Sequence, residues 1–440
     1  MQHVDTLIHA RWIIPVEPEG KVLEDHAIAV RGGAIVSILP FREAGERYLP
    51  ETTHSLADHA LIPGLVNAHT HAAMTLFRGI ADDLPLMDWL HNHIWPAETR
   101  WVDEGFVYDG TRLAAAEMLR GGVTCFNDMY FYPDEAARAA VEAGIRAVVG
   151  LIVLDFPTAW ARDGDEYFAR GVAVHDKYRH EPLVSTAFAP HAPYSVSDAS
   201  LGRVQVLAEE LDIPIHMHVH ETHDELIHSQ EQYRMRPIAR LERLGLLSSR
   251  LAAVHVTHVE EEEIARLAAH GVGVVHCPES NLKLASGLCP VERLLAAGVV
   301  AGLGTDGCAS NDDLDMFGEM RTAALLAKGL AGSARSLPAA RVLGMATLGG
   351  ARALGLDNRI GSLVPGKAAD VTAVNLGTIE TQPVYNPIAQ LVYSASRHQV
   401  SQVWVAGNQV LKDRVLTGLD EAELLARAGE WRRKIGGSMQ

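Results

Sequence analysis

Basic residues, cysteines and long apolar runs are all scarce in this sequence, and each shortage removes a class of function. The 38 Lys+Arg stand against 55 Asp+Glu, a formal net charge of -17. That balance argues against nucleic acid or an anionic membrane as the main partner. The N-terminus, MQHVDTLIHARW, has no basic region followed by an apolar run, so no signal peptide is expected. No uninterrupted apolar stretch is long enough to span a bilayer. The four cysteines (Cys125, Cys277, Cys289, Cys308) are scattered and none forms C-x-x-C. Neither a structural zinc knuckle nor a disulfide framework is suggested, and a reducing, cytoplasmic setting fits. A glycine-rich phosphate fingerprint is also missing after the first strand, which weakens a doubly wound nucleotide-binding sheet.

What is present points to an α/β protein. With 440 residues, 48% hydrophobic and 21% charged, the chain can build one large barrel plus a smaller module. Both ends read as short alternating strands: DTLIHARWIIPV and HAIAVRGGAIVSILP at the start, DVTAVNL and VSQVWVAGNQVLKD near the end. Arg31-Gly32-Gly33 and Gly407-Asn408 read as hairpin turns. Neither half is large enough to fold alone, so the two ends are expected to pair into one small β-module. Between them, eight apolar segments alternate with helix-like ones: LIPGLVNAHTH, GVTCFNDMY, RAVVGLIVL, LVSTAFAPHA, IPIHMHVHE, LAAVHVTHV, GVGVVHCPES and VVAGLGTDG. This predicts a parallel (β/α)8 TIM barrel over 62–361. The flanking β-sandwich module would come from 1–61 and 362–440, the latter closing with a helix.

In such a barrel the chemistry gathers at the C-terminal ends of the strands. His69 and His71 end the first strand two residues apart, so both side chains can reach one point. His191 ends the fourth. The fifth carries His216, His218, His220 and Glu221, the sixth His255 and His258, and the eighth ends in Thr305-Asp306-Gly307. His69, His71, His218 and Asp306 would give three nitrogens and one oxygen, a set that suits Zn2+ with a position left for water. His216 and His220 share the strand face with His218, so the period alone does not choose among them. No lysine ends the fourth strand, where a bridging carbamate would hold a second metal, and one metal per subunit is expected. A metal-bound water has its pKa lowered from about 15.7 toward ~7. Asp306 could take that water's proton, Glu221 could shuttle it, and His255 could hold the nucleophile in line. The expected chemistry is hydrolytic attack at an sp2 carbon.

The segments LVNAHTHAAMTLFRGIADDLPLMDWL, IWPAE, HAPYSVSD, HMHVHET, HCPESNLKLASG and GTDGCASNDDLDMFGEM resemble the amidohydrolase superfamily. They look most like its branch of 5'-methylthioadenosine/S-adenosylhomocysteine deaminases, and the likeness runs from the N-terminal β-module through IGSLVPGKAADVTAVN. The resemblance implies an amidohydrolase-type barrel in which His69, His71, His218 and Asp306 are the zinc ligands. The family's H-x-H-x-x-E-T selects His218 from the run. It further implies that Glu221 is the acid/base, that His255 contacts the hydroxide, that Glu98 binds the ribose hydroxyls and that His191 contacts substrate. Arg162, in the loop after the third barrel strand, is the nearest candidate for an arginine that binds substrate in parts of the family, although the local match is poor. The implied reaction is hydrolytic deamination of the adenine ring of 5'-methylthioadenosine or S-adenosylhomocysteine, with zinc hydroxide attacking C6. The alternative is another aromatic C–N or C–Cl hydrolase, such as an adenosine, guanine or pterin deaminase or a triazine hydrolase. A dimer or tetramer is the expected assembly.

Overall fold

The computed structural model describes residues 1–437. Four strands open the chain: β1 (Gln2–Ile13), β2 (Leu23–Arg31), β3 (Ala34–Pro40) and β4 (Tyr48–Pro63). Eight follow, interleaved with helices: β5 (Leu65–Thr70), β6 (Val123–Asp128), β7 (Arg146–Val153), β8 (Val184–Pro190), β9 (Ile215–Val219), β10 (Leu251–His255), β11 (Gly273–His276) and β12 (Val300–Leu303). Four more close it: β13 (Val371–Asn375), β14 (Val400–Val405), β15 (Asn408–Lys412) and β16 (Val415–Leu416). Among the described residues no helix is long and apolar enough to cross a membrane.

Strands β5 to β12 form one parallel sheet in sequence order. Its two edges meet where the Asp306 N–H donates to the His69 carbonyl (3.1 Å) and the Thr305 N–H donates to Asn67 Oδ1 (3.0 Å). The result is a nearly closed (β/α)8 barrel. Every residue of β5, β6 and β7 is buried. Covered on both faces, such strands read as continuous apolar runs rather than as alternation. The helices between them show local start and stop signals. Asp103 caps Glu104–Arg120 by accepting the Phe106 N–H at 2.7 Å, and Ser197 caps Asp198–Leu211. Gly144, at φ +71°, ends Pro133–Ala143 in the left-handed region.

The other sheet has the order β16-β15-β14-β13-β4-β1-β2-β3. β4 is its joint, parallel to β1 on one side and antiparallel to β13 on the other. The chain's two ends thus complete one β-sandwich-like module, with Ile8, Ile13, Ile28, Val371 and Trp404 buried in its core. An ion pair between buried Arg146 of β7 and Asp370, just before β13, fastens this module to the barrel (Nε–Oδ2 3.1 Å). The Thr372 hydroxyl also donates to the Gly122 carbonyl at 2.7 Å.

Two local expectations change. LIPGLVNAHTH is not one strand. It ends β4 at Pro63 and begins β5 at Leu65, crossing between sheets at Gly64. A Cβ at Gly64 would lie 1.9 Å from Thr124 Oγ1, so only glycine fits this crossing. The last hairpin turns at Ala406-Gly407, both at positive φ, and Asn408 already belongs to β15.

Candidate active site

At the C-terminal mouth of the barrel, one ligand atom from each of His69, His71, His218 and Asp306 lies within 4.8 Å of the others. β5 delivers His69 and, one residue past its end, His71; β9 delivers His218; the turn after β12 delivers Asp306. Asp306 Oδ1 stands 3.2 Å from His69 Nε2 and 3.1 Å from His71 Nε2. The His218 and His69 Nε2 atoms are 3.2 Å apart.

The outward nitrogens decide what the inward ones can be. His71 Nδ1 donates to the Met129 carbonyl at 2.6 Å and His218 Nδ1 to the His191 carbonyl at 2.8 Å. Carbonyls only accept, so in their neutral form these rings present an Nε2 lone pair to the cluster. His69 Nδ1 meets His216 Nε2 at 2.8 Å. Asp306 Oδ2 accepts from the Ser280 (2.6 Å) and Ser310 (2.8 Å) hydroxyls, which turns Oδ1 toward the histidines. Three imidazole lone pairs and one carboxylate oxygen, each braced from behind, are a donor set that fits one Zn2+.

The charges follow the same geometry. Burial holds His69 at about 4 and His218 well below the usual range. For His71, burial is outweighed by the Asp306 contact and the group rises to about 9. Burial would raise Asp306, but the two histidines hold it well below the ordinary carboxylate value. Asp306 and His255 both adopt left-handed backbone, at φ +63° and +73°. Such strain in non-glycine residues collects at functional sites.

Glu221 and His255 border the same space. Their closest approach is 3.9 Å, His255 Nε2 to Glu221 Oε2. His255 Nδ1 is anchored on Asn281 Oδ1 at 2.8 Å. Burial, opposed by His255, raises the Glu221 carboxyl. Its backbone is pinned by Glu225, which accepts the Glu221 N–H at 2.9 Å, and by Thr257, which donates to the Glu221 carbonyl at 2.7 Å. His191 bonds Ser195 through Nδ1 (2.9 Å), and burial among the other histidines lowers it to about 3. His220 and His258 point elsewhere. His220 Nδ1 donates to the His258 carbonyl (2.9 Å), and His258 Nε2 to the Ser286 carbonyl (2.7 Å).

A cavity of about 520 Å³ opens onto this cluster. Its roof comes from the excursion between β5 and β6, which supplies Leu86, Trp89, Trp95 and Glu98. Glu98 faces the cavity, and burial raises its carboxyl to about 7. The structure therefore brings Glu98, His191, Glu221 and His255 into one pocket with the four-residue cluster. It does not bring Arg162. That side chain is exposed, pairs with Glu166 at 2.9 Å and does not line the cavity. The loop spends its polar reach on the helix Gly164–Tyr178, where Glu166 takes both the Arg162 guanidinium and its backbone N–H. Among the described residues no lysine or arginine lines the pocket. Sequence reasoning missed Ser280, Ser310, Asn281 and Tyr130. The serines lie within HCPES and TDGCAS, two of the motifs, so their position beside Asp306 was the available signal.

The chain is similar to known proteins over nearly its whole length. Residues 60–410 match the amidohydrolase family. A 5-methylthioadenosine/S-adenosylhomocysteine deaminase from Saccharophagus degradans is 48% identical, over 98% of this chain and 97% of its own. One from Teredinibacter turnerae is also 48% identical, over 98% of both chains. A zinc-bound crystal structure of an adenosine deaminase from Xanthomonas campestris superposes with a TM-score of 0.98 at 56% identity, covering 99% of each chain. A zinc-bound atrazine chlorohydrolase from Arthrobacter aurescens gives 0.90 at 25% identity, covering 97% of this chain and 99% of that one. With a family match spanning most of its length and a histidine–aspartate cluster at the mouth of its barrel, the chain belongs to the amidohydrolase family.

Proposed function

We propose that this chain is a zinc-dependent aminohydrolase that removes the 6-amino group from the adenine ring of 5'-thio-substituted adenosines. 5'-Methylthioadenosine would give 5'-methylthioinosine and ammonia, and S-adenosylhomocysteine would give S-inosylhomocysteine and ammonia. The observation that carries this reading is one cavity with a metal-ligand cluster and a buried carboxyl, Glu221, at its base and a second carboxyl, Glu98, on its wall. The deaminase relatives support it over nearly their whole length.

His69, His71, His218 and Asp306 would hold the ion. When bound, zinc lowers the pKa of a coordinated water from about 15.7 toward ~7 and so supplies hydroxide at neutral pH. Asp306 would accept a proton from that water. Glu221 carries a proton to ring N1 as C6 becomes tetrahedral. His255 Nε2 holds the nucleophile in line, with its ring fixed by Asn281. Asp306 would pass its proton on to the amine, the C6–N bond breaks, ammonia leaves, and the C6 hydroxyl proton restores Glu221. Glu98 accepts from the vicinal ribose hydroxyls. A cytoplasmic enzyme, dimeric or tetrameric, completes the reading, and the four cysteines are all free and buried.

The test is ammonia release by zinc-loaded protein from methylthioadenosine, S-adenosylhomocysteine, adenosine, adenine, guanine and a chlorotriazine. Turnover concentrated on the nucleosides supports the reading. Turnover of only a free base or the triazine would replace it with the second one, a different aromatic hydrolase. The fold shared with the chlorohydrolase keeps that alternative in the panel. Glu221→Gln is expected to keep its zinc and lose on the order of 10²–10⁴-fold in kcat.

A further inference from the structure

One buried polar group in the pocket has no role in the steps above. Tyr130 lies two residues beyond β6 and is 4% exposed. Its ring centroid is 6.4 Å from that of His71 and 5.3 Å from that of Phe131, and it lines the same cavity as Glu98. Its hydroxyl neighbours the Glu98 carboxyl without completing a well-formed hydrogen bond to it or to any other described group. Burial, reinforced by the nearby Glu98 carboxylate, pushes the phenol well above its ordinary value, so it stays a donor. A phenylalanine would fill the same space without burying a hydroxyl that is incompletely bonded, and such groups call for an explanation.

The chemistry of the ribose supplies one. Each ribose hydroxyl is both donor and acceptor, whereas an ionised carboxylate only accepts. Glu98 can therefore take the two hydroxyl protons but leaves the oxygen lone pairs unmatched. A neutral O–H donor beside Glu98 completes the set, and Tyr130 is that donor in the wall of this pocket.

We propose that Tyr130 is a substrate-binding residue that reads the ribose together with Glu98, donating its hydroxyl proton to a ribose oxygen while Glu98 accepts from the hydroxyls. This rests on the nucleoside-deaminase reading. It is tested with adenosine and 2',3'-dideoxyadenosine, which differ only at the hydroxyls, using zinc-loaded wild type and Tyr130→Phe. The variant is expected to lose about tenfold in kcat/KM for adenosine, chiefly through KM, and to stay within about twofold for the dideoxy compound. Zinc content and Tm should match the wild type. Glu98→Gln should show the same substrate pattern, and the double variant should lose less than the product of the two single losses. Equal loss on both substrates, or no loss on adenosine, overturns the role of Tyr130 while leaving the deaminase intact. A wild type that turns over no adenosine compound overturns the deaminase reading and this role with it.

Discussion

Asp306 divides its labour between two oxygens. Oδ1 faces His69 and His71, while Oδ2 takes two serine hydroxyls at 2.6 and 2.8 Å. Removing one of those hydroxyls frees the carboxylate to rotate away from the histidines. Ser280→Ala is therefore expected to weaken zinc affinity or activity about 10–100-fold, measured by competition with a chelator, without unfolding the barrel. Glu98 carries a different prediction, because its carboxyl is raised to about 7 by burial. Above that pH it is ionised and can accept from both ribose hydroxyls; below it the protonated group loses accepting capacity. The KM for adenosine should rise as pH falls through about 7, and the KM for 2',3'-dideoxyadenosine should not. A flat adenosine KM across that window would remove Glu98 from the ribose site. At this scale the sequence was legible wherever strand period does the placing, as for His69 and His71. Period alone could not choose among His216, His218 and His220, because it sets the side a residue faces and not its depth, and the selection of His218 came from the H-x-H-x-x-E-T resemblance. In the fold His216 backs His69, and His220 lies past the end of β9, at φ +55°, where the period no longer holds.

At the level of elements, the decisive passage is the chain's crossing from β4 into β5. β4 is hydrogen-bonded on both sides within the end module, whereas β5 carries His69 into the barrel mouth. The hinge between them has no room for a side chain, since a Cβ on Gly64 would sit 1.9 Å from Thr124 Oγ1 and 2.6 Å from Thr124 Cβ. Thr124 is itself fully buried in β6 and cannot swing aside. Gly64→Ala should cost about 1–3 kcal/mol or more through overpacking. It should lower Tm and loosen zinc together, because the displaced strand is the one bearing two ligands. Thr124→Gly in the same chain should restore much of both; failure to do so would place the cost elsewhere. The eight barrel strands could be read from their apolar runs, and the crossing could not. Leu61 to His71 has an unbroken strand-like pattern, and only the Thr124 contact, distant in sequence, shows why Pro63-Gly64 divides it.

Across the whole molecule, the pocket's charge follows the chain's. The acids that line the cavity are Glu98, Glu221 and Asp306, and among the described residues no lysine or arginine faces them. Away from the cluster the walls are apolar, built by Trp95, Ile152, Leu154, Phe156 and Pro157. Arg162, the cation expected from the sequence to meet the far end of the substrate, is spent on Glu166 at the surface. A methylthio group suits such walls. A homocysteine tail would bring an ammonium and a carboxylate, and beyond the zinc cluster the carboxylate would meet apolar walls with no lysine or arginine partner. The expected outcome is a kcat/KM for methylthioadenosine at least about tenfold above that for S-adenosylhomocysteine, a difference of about 1.4 kcal/mol in transition-state binding. Phe156→Arg, which places a cation on the apolar wall, should narrow that ratio by improving the homocysteine substrate. Equal efficiencies in the wild type would mean that the tail finds a cation that this chain's pocket does not itself supply. Measuring the ratio alongside the oligomeric state would then show whether a second subunit provides it.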